Sequence, residues 1–557
     1  MNTIKSFIAC SLFLLAFTGC DLTAINENPN EPTEDVNYNL NDARLASVFR
    51  SSIPTMEGDD EQRIKSLTID FFAQMLDGGA YAPKNYRMEE DWNQRMYRRI
   101  QSSVASMNIV IRSLSDKEDQ FAKAIAVAKI WRVFIQSNGV DYFGPIPFAK
   151  YTETEDNSPY KSVEESYTEF FKELEEAVAL LDKNSSNNVF NGSASDIMFG
   201  NDADRWRKFA NSLRLRLALR VSEVNPSLCT AQATAAIQSG VMESSGDNAY
   251  LPPKADGGWG QDYNYTMFQI TWGGPLLMTS SFEKLVTGIG GIDFPTGLTN
   301  KRAALTGNAA TPLSAVHPAK VDPRAPIMFD PANENGDWHG IPYGLSSTDY
   351  GSGIYRTLLW SELGILIKNG VPYKNRPYDV FLYEEVCFLK AEAALRDFIA
   401  GDAKAEYEKG VHASFATWGV ADKAAAYLAS TAKNAAGTSA NFNDVSDSNG
   451  NTQLEKIITQ KYLGLFPDMS MEAWNDKRRL NLPRMDVGIS RDELLYNNSD
   501  RNILKPGNFI KRVQYPQNET QINKAEYDKG VALLGGKDVV STPIWWDKNA
   551  NYCTSAE

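Results

Sequence analysis

Apolar positions recur every three or four residues through much of this chain, and that spacing predicts helices. Ser162 can cap a helix opening at Val163, with Glu164 and Glu165 in its first turn favouring the helix dipole. Its apolar residues then fall at Tyr167, Phe171, Leu174, Val178 and Leu181, one stripe suited to a core. Phe121 to Phe134 reads the same way, rich in Ala and Ile, with Trp131 near its end. Between Asn211 and Arg220 the pattern is ambiguous, because Leu213, Leu215, Leu217 and Leu219 alternate as they would in a strand. Leu, Arg and Ala are strong helix formers, however, and Trp206, Phe209, Leu213, Leu217 and Val221 keep helical spacing. A helix is expected there.

Tyr378 to Phe398 predicts another helix, with Val380, Cys387, Ala391, Ala394 and Phe398 along one side. It leads through Gly401-Asp402 into a second, carrying Ala403, Tyr407, Val411 and Phe415. Two such helices with small and aromatic residues at these offsets resemble a tetratricopeptide unit. Leu454 to Phe466 and Met471 to Arg479 read as a further pair. From about residue 240 to 370 the periodicity stops. Half of the 38 glycines lie there, with Trp259, Tyr263, Tyr265, Trp272, Trp338, Tyr343, Tyr350, Tyr355 and Trp360. Aromatic residues in this number argue against disorder, so the stretch reads as an ordered, loop-rich insertion. Beyond Asn481 the chain is again irregular, with Trp545 and Trp546 near its end. The fold class is therefore mainly α: a tetratricopeptide-like helical scaffold carrying a long loop-rich insertion.

The first residues are of another kind. Lys5 precedes the small or apolar run Ile8 to Phe17, which is too short to span a bilayer but fits a signal-peptide core. It runs into Thr18-Gly19-Cys20, which resembles the lipobox of bacterial lipoproteins, with Phe17 where such boxes usually carry leucine. On this reading residues 1–19 are a signal peptide, Cys20 is lipidated, and 20–40 is a flexible tether containing the Asn- and Pro-rich stretch Asn26 to Thr33. Residues 41–557 then form a single domain. The membrane is met through lipid alone, because no later stretch is apolar enough to cross it. A net charge of −14 without a basic run makes nucleic acid a poor partner. Of the five cysteines, Cys229, Cys387 and Cys553 remain after processing and lipidation. That trio is neither a disulfide framework nor a zinc site, and Cys387 reads as a buried thiol.

Catalytic chemistry finds little support. His317, His339 and His412 are too scattered for a metalloprotease motif. Gly288-Ile-Gly290-Gly291 reads as a turn, and Asp447-Ser-Asn449-Gly450 resembles part of a calcium loop whose twelfth position is taken by Lys456. No cofactor or metal is implied. Glu384, Glu385 and Glu392 lie on a scaffold helix and read as solvated or salt-bridged. Aromatic rings beside amides and carboxylates carry a different chemistry, in which the ring stacks on a sugar face while polar groups take its hydroxyls. Tyr81, Trp92 and Asn93, with Tyr86, make one such cluster; Trp259, Asp262, Tyr263, Asn264, Tyr265 and Trp272 make another.

Several segments together resemble the SusD/RagB family of nutrient-binding outer-membrane lipoproteins, in the branch often labelled SusD-like 2. They are the lipobox, the tether Asn26-Glu-Asn-Pro-Asn30, Asp141-Tyr-Phe-Gly-Pro-Ile-Pro147, and Arg205-Trp-Arg-Lys-Phe-Ala-Asn-Ser-Leu-Arg-Leu-Arg216. Tyr383-Glu-Glu-Val-Cys-Phe-Leu-Lys-Ala-Glu-Ala-Ala394, Gln460-Lys-Tyr-Leu-Gly-Leu-Phe466 and Glu472-Ala-Trp474 complete the set. The resemblance implies tetratricopeptide-like helical pairs, an outer-membrane location facing the exterior, and a partner, a TonB-dependent barrel of the SusC type. It implies ligand binding, commonly of glycans, and no catalysis; no site residue carries over by motif. A surface-anchored polysaccharide hydrolase and a non-binding assembly scaffold are the alternatives.

Overall fold

The computed structural model describes residues 34–52, 75–77, 90–148, 159–183, 196–252, 276–301, 315–343, 345, 349, 352–355, 357–364, 366–367, 371–372, 376–446, 450–486 and 509–548. Cys20 and residues 447–449 lie outside them. The first helix, α1, spans Glu34–Ser52 and so begins inside the segment read as tether. It is followed by α2 (Glu90–Ser115), α3 (Glu118–Phe143), α4 (Val163–Leu181), α5 (Ala203–Arg220) and α6 (Pro226–Ser239). Successive helices pack on one another from α2 to α6. The Ser162 cap forms as a full capping box, with Glu165 reaching back to the Ser162 N–H. The α4 stripe is buried at Tyr167, Phe171, Leu174 and Leu181.

The ambiguous segment is helical, and its alternation has a physical origin. Leu213, Leu215, Leu217 and Leu219 are all buried, and so are Arg214, Arg216 and Arg220 between them. A helix enclosed on every side has no polar face, so periodicity fails as a guide.

The second half holds α7 (Ser280–Val286), α8 (Ala325–Met328), α9 (Tyr383–Leu395) and α10 (Ala403–Thr417). Then come α11 (Ala424–Ala429), α12 (Gln453–Gly464), α13 (Ser470–Leu480), α14 (Glu519–Ile522) and α15 (Lys524–Leu534). α9 and α10 form the expected antiparallel pair, with Asp402 capping α10 through the Ala405 N–H. The two helices close tightly at Gly410, where an added Cβ would stand 2.6 Å from the Phe388 ring. Cys387 and Cys229 are buried thiols, each pushed up to about 12 by burial.

Two expectations need correction. The helix anticipated from Tyr378 starts only at Tyr383, because Tyr378–Phe381 is a strand pairing antiparallel with Ala249–Leu251. Those four residues, Tyr-Asp-Val-Phe, suit a pleated, half-buried edge, and the Tyr383 N–H is satisfied by the Asn248 side chain at 2.7 Å. The region after Asn481 is not wholly irregular, since it contains α15.

A connected network of basic and acidic side chains lies in the interior. Arg216 donates two bonds to Glu385, at 2.8 and 2.6 Å. Arg220 pairs with Glu472 and lies 3.6 Å from Asp141. Asp141 also accepts from the Tyr167 hydroxyl at 2.6 Å and from the Trp546 indole at 2.9 Å. Arg479 joins Glu392 to Asp476, and Lys461 holds the other oxygen of Asp476 at 2.9 Å. Arg478 lies 3.4 Å above the Trp474 ring and donates to the main-chain carbonyls of Asp141 and Lys511 at 2.8 Å. All of these side chains apart from Lys511 are buried. Glu385 and Glu392 are therefore salt-bridged rather than solvated.

Removing one partner of such a pair strands a buried charge, whereas removing both does not. Arg216→Met should lower unfolding free energy in urea by about 3–5 kcal/mol, with Arg216→Met/Glu385→Met recovering most of it. Equal losses in the two variants would contradict this role. Burial works to raise the Asp476 carboxyl, but Lys461 and Arg479 outweigh it and hold it at about 2. Its stabilising contribution is therefore complete above its ordinary value of 3.8 and lost as pH falls through about 2. Asp476→Asn should reduce stability at neutral pH and flatten the acid limb between those values.

Candidate ligand-binding surface

The insertion is organised by an antiparallel sheet of four very short strands. β1 (Leu76–Asp77) pairs with β5 (Leu277–Met278), β5 with β7 (Glu362–Leu363), and β7 with β6 (Phe329–Asp330). Three two-stranded ladders complete the described strands: β2 (Ile146–Pro147) with β3 (Tyr160–Lys161), β4 (Ala249–Leu251) with β10 (Tyr378–Phe381), and β8 (Leu366–Ile367) with β9 (Val371–Pro372). The insertion is tied to the scaffold by the turn at Ile289–Gly291. Gly290 adopts φ +75° there, and an added Cβ would fall 1.9 Å from the Tyr427 ring of α11. This is the turn expected from the glycine run.

On this frame the segment Trp338 to Ile341 is pinned from both sides. The Ile341 N–H donates to Met278 at 2.8 Å, the His339 N–H to the Ser361 hydroxyl at 2.9 Å, and the Gly340 N–H to Glu283 at 2.9 Å. Burial raises the Glu283 carboxyl above its ordinary value, against the opposing pull of the Gly340 N–H and His339. Two aromatic stacks grow from the adjacent residues Trp338 and His339. The His339 ring lies 4.5 Å from Trp360 at 25°, and Tyr355 continues the column at 6.2 Å and 18°. His339 Nε2 is 2.9 Å from the Leu359 carbonyl, which fixes its ring plane. On the other side Phe294 stacks on His317 at 4.5 Å and 11°, with Trp338 edge-on at 5.5 Å.

Exposure sets the Tyr355 column apart from the core aromatics and from Phe294 of the other stack, which is buried. Trp338 and Tyr343 are buried, whereas His339, Tyr355 and Trp360 are half-buried, beside Ile354 at 69% and Leu358 at 45% exposure. Polar groups rim them. Asn335 donates to Asp337 at 2.6 Å, Asp337 receives the Val316 N–H at 2.7 Å, and the Glu334 N–H reaches the Leu358 carbonyl at 3.0 Å. Flat half-exposed rings edged by amides and carboxylates can stack on an apolar ligand face while bonding its hydroxyls.

Most of the residues expected from sequence are not among those described. Tyr81, Trp259, Asp262, Tyr263, Asn264, Tyr265 and Trp272 lie outside the described residues, as does Tyr350. Trp92 sits in the first turn of α2, its side chain outside the description. Asn93 follows it and is buried, with its side-chain oxygen unpaired. Sequence reasoning passed over His317 and His339, because scattered histidines carry no spacing signal; only their position among the insertion's aromatics hinted at a stacking role. Among the described residues no group of three or more His, Cys, Asp or Glu is placed to hold a metal ion. At the calcium-like loop, the buried Lys456 ammonium donates to the Ser439 carbonyl at 3.0 Å, its hydroxyl at 2.7 Å, and Asn451 Oδ1. Among the described residues no helix is long and apolar enough to cross a membrane.

A family model described as SusD-like, Susd and RagB outer membrane lipoprotein, matches residues 24–287 and 320–547. The gap between them contains Phe294 and His317. Among solved structures, a SusD homolog from Parabacteroides distasonis matches with TM-score 0.85 and 53% identity, over 93% of this chain and 100% of that one. A chitin-binding SusD homolog from Flavobacterium johnsoniae matches with TM-score 0.72 and 24% identity, over 92% and 100%. A SusD homolog from Bacteroides vulgatus gives TM-score 0.70 and 25% identity, over 92% and 98%. No curated protein matches the sequence.

Truncating one end of the Tyr355 column tests whether it is a unit. His339→Ala should cost about 1 kcal/mol in urea unfolding and diminish the near-ultraviolet circular dichroism of the aromatic residues. An unchanged spectrum would mean that the rings do not stack in solution.

Proposed function

This chain belongs to the SusD/RagB family of outer-membrane lipoproteins, and we propose that it captures an oligosaccharide and delivers it to a SusC-like TonB-dependent transporter. It acts by binding, without turnover. The observation that carries the reading is the half-exposed Tyr355–Trp360–His339 column with its polar rim. The rings cover one another's inner faces, so the column presents Tyr355, its end ring, and the exposed edges beside Ile354 and Leu358 as an apolar surface with a polar rim, which suits a sugar ring. The clusters at Tyr81 and Trp92 and at Trp259 to Trp272 stay candidate ligand contacts in this proposal. Lipid on Cys20 holds the protein at the membrane, on its external face, while the body swings as a lid over the barrel.

The chitin-binding homolog shares this fold, so N-acetylglucosamine oligomers are a sensible first ligand to try, followed by a wider glycan panel. Titration of the purified chain should give saturable binding with no change in ligand length. Trp360→Ala should weaken it by roughly tenfold or more, the scale of one lost stacking contact, in a variant shown by far-ultraviolet circular dichroism to be folded at the titration temperature. Release of shorter products, abolished by a single carboxylate-to-amide change, would instead establish a hydrolase. Binding untouched by Trp360→Ala would move the ligand to another surface. Co-purification with a barrel transporter tests delivery.

A further inference from the structure

The C-terminal pair α14–α15 meets the body of the protein at Tyr160 of β3. The Tyr160 ring lies under Gly530 of α15, where an added Cβ would stand 2.3 Å from it. Its N–H donates to Glu526 of α15 at 3.1 Å. Its hydroxyl donates to Glu519, the first residue of α14, at 3.2 Å, and lies 2.9 Å from the Tyr97 hydroxyl of α2. The Tyr97 hydroxyl is itself 3.5 Å from the same Glu519 oxygen. Both tyrosines are buried and Glu519 is half-buried.

Three oxygens therefore face one another, and three hydrogen bonds can join them. An ionised carboxylate carries no hydrogen, so the two hydroxyls supply only two. One edge is then a contact between lone pairs, and the longest edge, at 3.5 Å, is the one left open. A proton on Glu519 supplies the third donor and closes the ring. No cation stands in for that proton, since among the described residues Glu519 has no basic partner. Around it, Glu90 of α2 accepts the Gln517 N–H, Glu526 is held by Lys529, and Lys524 pairs with Asp528 at 2.7 Å. Lys161 of β3 pairs with Glu169 at 3.5 Å, and the Tyr515 hydroxyl donates to the Pro145 carbonyl. Burial raises the Glu519 carboxyl above its ordinary value, against the opposing pull of the two hydroxyls. It raises both tyrosine hydroxyls as well, so they stay protonated and keep donating.

We propose that Tyr97, Tyr160 and Glu519 form a proton-sensitive clamp, which closes fully when Glu519 takes up a proton from solvent and loosens α14–α15 from α2 and β3 when it gives that proton up. A carboxyl raised in the folded protein contributes stability that is complete below its ordinary value of 4.5 and is lost as pH rises through the raised one. This sign is opposite to that of Asp476, so falling pH works on the C-terminal pair and on the interior network in opposite directions. The clamp is independent of what the aromatic columns bind.

Hydrogen exchange of the full chain, read by mass spectrometry on peptides covering residues 519–534, tests the clamp. Parent and variant are compared at the same pH, so the intrinsic pH dependence of exchange cancels. Glu519→Gln has a donor at every pH. It should match the parent below pH 4.5. At about pH 8 it should exchange roughly fivefold more slowly, the scale of one net hydrogen bond. Tyr97→Phe leaves two oxygens and one hydroxyl hydrogen, which an ionised Glu519 satisfies, so adding Glu519→Gln to it should bring no further protection. Equal exchange of parent and Glu519→Gln at both pH values would overturn the proposal. Faster exchange of Glu519→Gln at both would make Glu519 a fixed acceptor and overturn it as well.

Discussion

Charged side chains that meet in the interior are costly to dehydrate, and each becomes tolerable only when every partner arrives in place. In this protein the partners come from distant parts of the chain: Arg216 and Glu385 are 169 residues apart, Arg220 and Glu472 are 252. Asp141 of α3, the arginines of α5, Glu385 and Glu392 of α9, Lys461 of α12 and the polar face of α13 must converge together. A hydrophobic core alone would let these helices slide. The charge network permits one arrangement, because a shift that breaks a single pair strands a buried ion. Its closure by Trp546 recruits the C-terminal segment as well.

Such a frame lets the rest of the chain be irregular. The insertion has strands of two residues and long loops, which have little stability of their own. It gains order by leaning on the scaffold: α7 packs Phe282 against Tyr462 and Phe466, and the Gly290 turn seats against Tyr427. Recognition residues carried on loops above a rigid base can vary without disturbing the fold. The aromatic columns are of this kind, held where the His339 N–H donates to the Ser361 hydroxyl, the Ile341 N–H to the Met278 carbonyl of β5, and the His339 ring meets the Leu359 carbonyl.

The legibility of the sequence followed from one-sided burial. α4 and the α9–α10 pair were readable because each presents a stripe to the core. α5 was readable only through propensity, since enclosure on all sides erases its polar face. The strand at Tyr378 was absorbed into a helix because four residues are too few to show a period of two beside a strong helical run. The four-stranded sheet was invisible for the same reason, and α15 was passed over as a short element in an irregular tail. Glu385 and Glu392 could be named as salt-bridge candidates, but no local signal identifies partners so far away. The surface aromatics were legible as a class, whereas the separation of Trp338 and Tyr343 into the core from Tyr355 and Trp360 at the surface depends on tertiary contacts. Stacked histidines left no mark at all.

Lys456 illustrates a different economy. The segment around Asp444 and Asn451 has the side chains of a cation-holding loop, and the positive charge at its centre belongs to the protein's own helix α12. Asn451 turns its carbonyl oxygen to that ammonium and its amide to Asp444, so the two ends of the segment are drawn together from within. A loop that takes a dissolved ion inherits the ion's availability, and its shape tracks the composition of the medium. Here the cation is covalently attached and present at unit stoichiometry, so the shape of this segment does not follow the concentration of a dissolved ion.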